Sequence, residues 1–183
     1  MRNVELTKQR ILEAATEEFS RYGFAGARVD RIAQSAGANK ALIYAYFGNK
    51  EKLFAEVFQA IIGLVVQDVA LDPADLPGYL ERRIDWQLEH PALPRIALWG
   101  ALELPEFRAT DAMREGRRRK EAILAQGQAD GIISTRFSAG ELLDLLDALA
   151  NPVITLDPAR ADQTETYKRA AVAALRRLIA PEP

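Results

Sequence analysis

Three observations predict an all-α fold. Apolar residues recur at spacings of three and four in segment after segment of the 183 residues, the mark of amphipathic helices. Strand-like alternation is confined to residues 132–137. Ser138 and Glu141 hold the Ser-x-x-Glu spacing of a capping box, with Phe137 and Leu142 placed as a hydrophobic staple, so one helix start is written in the chain itself. The pattern gives about nine helices: an N-terminal three-helix domain joined by a long helix to a C-terminal helical bundle.

In chain order, Thr7 is read as the N-cap of a first helix whose stripe is Ile11, Ala15 and Phe19, and Gly23 after Tyr22 supplies a left-handed C-cap. Two short amphipathic pieces follow, over residues 29–36 and 39–47. Gly37 between them permits a positive φ and a sharp turn, and Asn39 can cap the second through its side-chain oxygen. Gly48 and Asn49 break and re-cap the chain before a long helix over residues 50–69, with Phe54, Phe58, Ile61, Ile62 and Val65 on one face. Pro73, Pro77 and Gly78 mark a loop, and Leu80, Ile84 and Leu88 set the stripe of a helix that reaches His90. Pro91 and Pro94 restart the chain. Residues 96–104 are almost entirely apolar and are expected to be surrounded by other helices, with Pro105 ending them. A charged helix runs from about Phe107 toward Asp130. After the capping box come Leu142, Leu145, Leu146 and Leu149. A loop bounded by Pro152 and Pro158 leads to a last helix carrying Tyr167, Ala171, Ala174, Leu175 and Leu178.

Composition removes several classes of function. Hydrophobic residues make up 49% and charged residues 27%, as in a globular chain. The absence of cysteine excludes disulfide scaffolds, iron–sulfur sites, thiol catalysis and zinc fingers. His90 is the sole imidazole, so a histidine metal site lacks its second ligand and a Ser-His-Asp triad would depend on this one residue beside Pro91. No enzyme activity, metal or cofactor is expected. The longest apolar run, residues 60–66, stops at Gln67 and Asp68, and the segment after Met1 lacks the apolar stretch of a signal peptide. The expectation is a cytoplasmic protein with no membrane partner.

The net charge of −2 is unevenly spread. Residues 1–52 carry nine lysines and arginines against six acids, and the remainder fifteen against twenty. A basic first third with two short helices around a glycine suits a helix-turn-helix, whose second helix fits a major groove about 12 Å wide. Phosphate contacts need cations and hydroxyls near the ends of that helix. Arg28 precedes the first short helix, Lys40 opens the second, Tyr44 and Tyr46 offer phenolic hydroxyls along it, and Lys50 begins the next. Tyr44 and Tyr46 are two positions apart and cannot share one helix face.

Residues 28–54 read RVDRIAQSAGANKALIYAYFGNKEKLF, a stretch that resembles the TetR family of transcriptional regulators. The matching elements are Ile32-Ala33, Ala36-Gly37, Tyr44, Tyr46-Phe47 and Lys50-Glu51-Lys52-Leu53, preceded by Ile11, Ala15, Phe19 and Gly23-Phe24. The resemblance implies a helix-turn-helix domain over residues 1–52 with its motif at about 28–47, a recognition helix at 39–47, and an effector-binding and dimerisation domain over 53–183. It further implies a homodimer on a double-stranded, pseudo-palindromic operator, its reading heads about one DNA turn (~34 Å) apart. An unidentified small-molecule effector would change that spacing through the long helix at 50–69, releasing a repressor from its operator. Many family members place a hydroxyl where Arg28 stands and a glycine where Ala41 stands. Arg28 would then reach a phosphate rather than cap its helix, and Ala41 and Leu42 would meet bases through apolar contacts such as a thymine methyl. The rival reading is an all-helical small-molecule or protein-binding module with no DNA function and no salt-dependent DNA affinity.

Trp86, Trp99, Phe107 and Met113 are candidates for an apolar effector pocket, with Glu103 and His90 as its polar groups. Core packing is the stronger reading of the first four, and solvated helix ends that of the last two. Leu142, Leu145, Leu146, Leu149, Ala171, Ala174, Leu175 and Leu178 are candidates for a dimer interface, with packing inside the chain as the alternative. The densest basic run is Arg114, Arg117, Arg118, Arg119 and Lys120. Glu115 is placed to pair with Arg119 and Glu121 with Arg117, as on a solvated helix face; a second nucleic-acid site and an anionic effector bound by part of the run are the other readings.

Overall fold

The computed structural model describes residues 2–104, 111–151 and 163–180; the side chains of 2–3, 62–68 and 111–112 lie outside that description. Among the described residues there are nine α-helices, one 3₁₀ turn at Pro73–Asp75 and no strand. The helices are α1 (Arg2–Gly26), α2 (Val29–Ser35), α3 (Lys40–Phe47), α4 (Lys50–Asp68), α5 (Leu76–Glu89), α6 (Ala92–Glu103), α7 (Asp111–Ala129), α8 (Ala139–Leu149) and α9 (Thr164–Ile179). The fold is all-α, as the periodicity predicts. The chain forms two compact units, residues 1–65 with 92–110 and residues 66–91 with 111–183. The sequence boundary at residue 52 falls inside α4, whose first sixteen residues belong to the first unit.

The first unit is built on aromatic packing. Phe54 of α4 meets Phe19 edge-on at 5.0 Å and Phe24 at 5.6 Å, and stacks on Phe58 at 6.1 Å. Ile11, Ala15, Ile32, Ile43 and Leu53 complete the core, each at most 1% exposed. α1 begins at Arg2, so Thr7 lies inside the helix and is buried there rather than capping it. Gly23 breaks α1 as predicted, with φ 70°. The reason is steric as well as conformational: a Cβ at this position would stand 2.9 Å from the Trp99 ring of α6. α6 was expected to be surrounded, but it buries Leu93, Ile96 and Gly100 on one side and leaves Leu102 70% exposed. Its apolar run is longer than the face that packs.

In the second unit Leu76, Leu80 and Ile84 of α5, Leu124 of α7, Leu142, Leu143 and Leu146 of α8, and Ala171, Val172 and Leu175 of α9 make one core. The capping box at α8 is formed: Ser138 N–H donates to Glu141 at 2.8 Å and Glu141 N–H to the Ser138 hydroxyl at 3.3 Å. That pairing holds the Glu141 carboxyl below the usual range. Residues 132–137 form bends, not a strand. The N–H groups of Ile132 and Ile133 donate to the Gly127 carbonyl at the end of α7, and Ser134 N–H donates to Ile179 of α9. Helix ends thus take the backbone groups that a neighbouring strand would have paired. The charged face of α7 carries the expected pairs, Arg119–Glu115 at 2.9 Å and Arg117–Glu121 at 2.7 Å, and Arg117 also reaches Asp144 of α8 at 2.6 Å. Pro105, Phe107, Pro152 and Pro158, and the side chains of Ile62 and Val65, lie outside the described residues.

Candidate nucleic-acid interface

The α2–turn–α3 unit is made by local chemistry. Gly37 adopts φ 60° between the two helices, a left-handed conformation that a side chain would strain. Asn39, in extended backbone, accepts the Leu42 N–H on its Oδ1 at 2.7 Å and starts α3. Ile43 and Phe47 then point into the core, which fixes the rotation of the helix. The outward face is Lys40, Ala41, Tyr44 and Ala45, all exposed, with Leu42 and Tyr46 half-buried at its flanks. Tyr44 and Tyr46 sit differently, as their spacing requires: Tyr44 is 40% exposed, whereas the Lys8 ammonium of α1 stands 5.8 Å over the Tyr46 ring.

Of the cations, Arg28 is exposed and precedes α2 without a side-chain cap. Lys40 donates to Asp30 of α2 at 3.0 Å. That bond raises the Lys40 ammonium above its ordinary range. Lys50 lies over the Phe24 ring at 4.7 Å and donates to the Ala25 carbonyl at 3.4 Å. All seven residues proposed from sequence for DNA contact therefore lie on, or directly flank, the helix-turn-helix.

The groups that hold this face in place were not found from sequence. Glu18 of α1 is 9% exposed and accepts the Arg28 backbone N–H at 2.8 Å and the Arg31 Nε–H at 2.7 Å. Arg31 also lies 4.2 Å over the Tyr22 ring. One carboxylate thus ties the end of α1 to the start of α2. The available signal was an acid on an apolar stripe, since Ile11, Ala15 and Glu18 are spaced four and three apart. Glu103 at the end of α6 does a similar task. Its Oε2 accepts the N–H groups of Phe24 and Ala25 at 2.5 and 3.0 Å, satisfying donors that Gly23 frees when it breaks α1.

The six pocket candidates are divided between the two units, one of them falling outside the described residues. Trp99 and Glu103 belong to the first unit, where the Trp99 ring covers Gly23 and Glu103 is engaged by the backbone of residues 24 and 25. Trp86, His90 and Met113 belong to the second unit, and Phe107 lies outside the described residues. His90 stacks on Trp86 at 4.6 Å and its Nδ1 lies 2.8 Å from the Trp86 carbonyl. Of the eight interface candidates, Leu142, Leu146, Ala171 and Leu175 are in the core of their own chain. Leu145, Leu149 and Leu178 are half-buried and Ala174 is exposed. Among the described residues no cluster of carboxylates and histidine is placed to hold a metal, and no helix is long and apolar enough to cross a membrane.

Comparison with known proteins agrees with this geometry. Residues 11–57 match the family described as "Bacterial regulatory proteins, tetR family", and residues 75–180 match "Tetracyclin repressor-like, C-terminal domain". The chain is 46% identical to the HTH-type transcriptional repressor SCO4008 of Streptomyces coelicolor over 156 residues, 82% of this chain and 79% of that one. It is 32% identical to the HTH-type transcriptional repressor NicS of Pseudomonas putida over 145 residues, 74% of this chain and 63% of that one. The solved structure of SCO4942 from Streptomyces coelicolor superposes with a TM-score of 0.81 at 34% identity, over 94% of this chain and 98% of that one.

Proposed function

This chain belongs to the TetR family of bacterial regulatory proteins, and from that premise we propose that it is a homodimeric repressor released from its operator by a small-molecule effector. It is a DNA-binding transcriptional regulator of the helix-turn-helix type. The observation that carries the contact assignment is the division of α3, with Ile43 and Phe47 turned into the core and Lys40, Ala41 and Tyr44 turned outward. In this reading Ala41 and Leu42 meet base edges, while Arg28, Lys40, Tyr44, Tyr46 and Lys50 meet phosphates on either side. Lys8 joins them, because its ammonium already stands over Tyr46.

The second unit is assigned the effector and the partner copy. Trp86, His90 and Met113 remain candidates for the effector's surroundings. Leu145, Leu149, Ala174 and Leu178, the interface candidates that are not fully buried, are assigned to the self-association surface, Leu149 at the edge of the core it packs against. The two roles communicate through α4, whose residues are divided between the units.

The test is binding of the full chain to a labelled fragment from upstream of its own gene, titrated at two salt concentrations with nonspecific competitor. Competitor-resistant binding by two subunits per site supports the dimeric regulator. Loss of all DNA affinity at low salt would overturn it and favour a helical binding module.

A further inference from the structure

Among the described residues, the second unit contains buried polar donors without a hydrogen-bond partner. Tyr79 on α5 is 1% exposed, and its hydroxyl has no hydrogen-bond partner. One turn on, the Arg83 Nε is likewise buried and unpartnered, while its Nη2 reaches Asp147 of α8 only at 3.4 Å. Lys120 on α7 is half-buried, and among the described residues its ammonium has neither an ion pair nor a hydrogen bond. Burial pushes that ammonium down, Arg83 pushes it the same way, and Asp147 opposes both. Buried donors are ordinarily satisfied, and a poorly hydrated ammonium without a counterion is costly. Here three stand together, contributed by two helices, and share one carboxylate.

The space one turn before Lys120 is open. Gly116 stands one turn before Lys120 on the same face of α7, half-buried, and a Cβ added there would meet nothing within 4 Å. One turn beyond Arg83 on α5 lies Trp86, on whose indole the His90 ring stacks, a flat aromatic surface. We infer that Tyr79, Arg83 and Lys120 form the head-group site of an anionic effector, an organic carboxylate on an apolar body. Two cations less one carboxylate leave a single positive charge, which suits a monoanion rather than a phosphate dianion. The inference rests on the reading of the second unit as the effector unit and gives that effector a chemical class.

The experiment uses the full chain with benzoate, phenylacetate and 4-phenylbutyrate, each against its primary amide, which keeps the shape and removes the charge. Calorimetric titration and thermal shift are the readouts. At least one acid is expected to bind saturably and tenfold or more tighter than its amide. Lys120→Met abolishes that preference, and Tyr79→Phe, which keeps the ring in the core, weakens the acid without affecting the amide. Lys120→Met also raises the melting temperature, which separates loss of the site from loss of the fold. Acids and amides that bind alike or not at all, or a preference that survives Lys120→Met, would overturn the site. DNA binding is read on the same samples. DNA affinity without a carboxylate response overturns this site and leaves the regulator standing, whereas carboxylate binding that leaves DNA affinity unchanged supports the site and removes effector release.

Discussion

α3 in the first unit and the α8–α9 pair in the second are both rich in apolar residues, yet they use them in opposite ways. In α3 only Ile43 and Phe47 are buried, and alanine, leucine and tyrosine side chains remain toward water. In α8 and α9 the leucine stripe is taken up by the chain's own core, with Leu142, Leu146 and Leu175 at most 2% exposed. A stripe at helical spacing therefore reports packing, and what lies outside the stripe reports function. Among the described residues, moreover, the desolvated donors without partners all lie in the second unit.

The largest effect expected separates members of a single stripe. Leu146→Ala opens a cavity in a closed core and should cost about 2–5 kcal/mol, seen as a lower denaturation midpoint with DNA binding intact in the folded fraction. Leu145→Glu lies one residue away on a half-buried flank. It should leave the fold and instead shift the sedimentation of the protein from dimer to monomer. If Leu145→Glu unfolds the protein and Leu146→Ala does not, the division between core and surface on α8 is wrong.

A second test concerns the joint that supports the reading head. Gly23→Ala places a side chain at φ 70° and against the Trp99 ring, a strain of about 1–2 kcal/mol from the backbone alone. Glu103→Gln keeps the shape but replaces two charge-assisted bonds to Phe24 and Ala25 with neutral ones, a loss of about 1 kcal/mol. Both should lower the melting temperature, and both should weaken operator binding by more than the loss of folded protein accounts for. A proportional loss would make Glu103 a helix cap and nothing more.

These joints show what a sequence makes legible. The turn at Gly37, the Asn39 cap and the Ser138–Glu141 box are each formed by residues within three or four positions, so spacing alone reveals them. Glu103 serves donors 78 and 79 residues away, and Glu18 serves one ten away across a turn; the place of Glu18 on an apolar stripe hints at burial, but nothing local names the partners of either. For the same reason the sequence does not reveal the contacts of Trp99 and Glu103 with residues 23–25, since an aromatic and an acid in an apolar helix carry no sign of what they pack against. Thr7 failed in another way: residues 2–6 contain no breaker, so α1 begins before the capping residue.

On the reading face itself the effects should fall on DNA and spare stability. Tyr44→Phe removes one exposed hydroxyl and should weaken operator binding up to about tenfold, near 1.4 kcal/mol, with no change in melting. Lys40→Ala should weaken binding across sequences alike and lower the salt slope by about one unit. Because Lys40 is held by Asp30 in the free protein, Asp30→Asn should have the opposite sign and tighten binding, most visibly at low salt. A neutral result for both lysine and aspartate variants would move the phosphate contacts to Arg28 and Lys50.

The smallest effect is also the sharpest contrast, because the two units each hold a lysine displaced in an opposite direction. Lys40 is raised, first by its hydrogen bond to Asp30, with Tyr44 adding to it; Lys120 is lowered, first by burial and then by Arg83, against Asp147. Lys40 therefore stabilises the folded chain below the ordinary lysine value near 10.5, and that contribution is lost as pH rises through its raised folded value. The folded chain gives up the Lys120 proton before the unfolded chain does. Its cost is thus present at neutral pH and relieved between its lowered value and 10.5. Midpoints of denaturation measured between pH 8 and 11 should show Lys120→Met losing a rise toward alkaline pH and Asp30→Asn losing a later fall, the second change being the smaller because its pair is exposed. Parallel profiles for the two variants would mean that Lys120 is as well hydrated as Lys40, and the unpaired cation of the second unit would then need no anion to complete it.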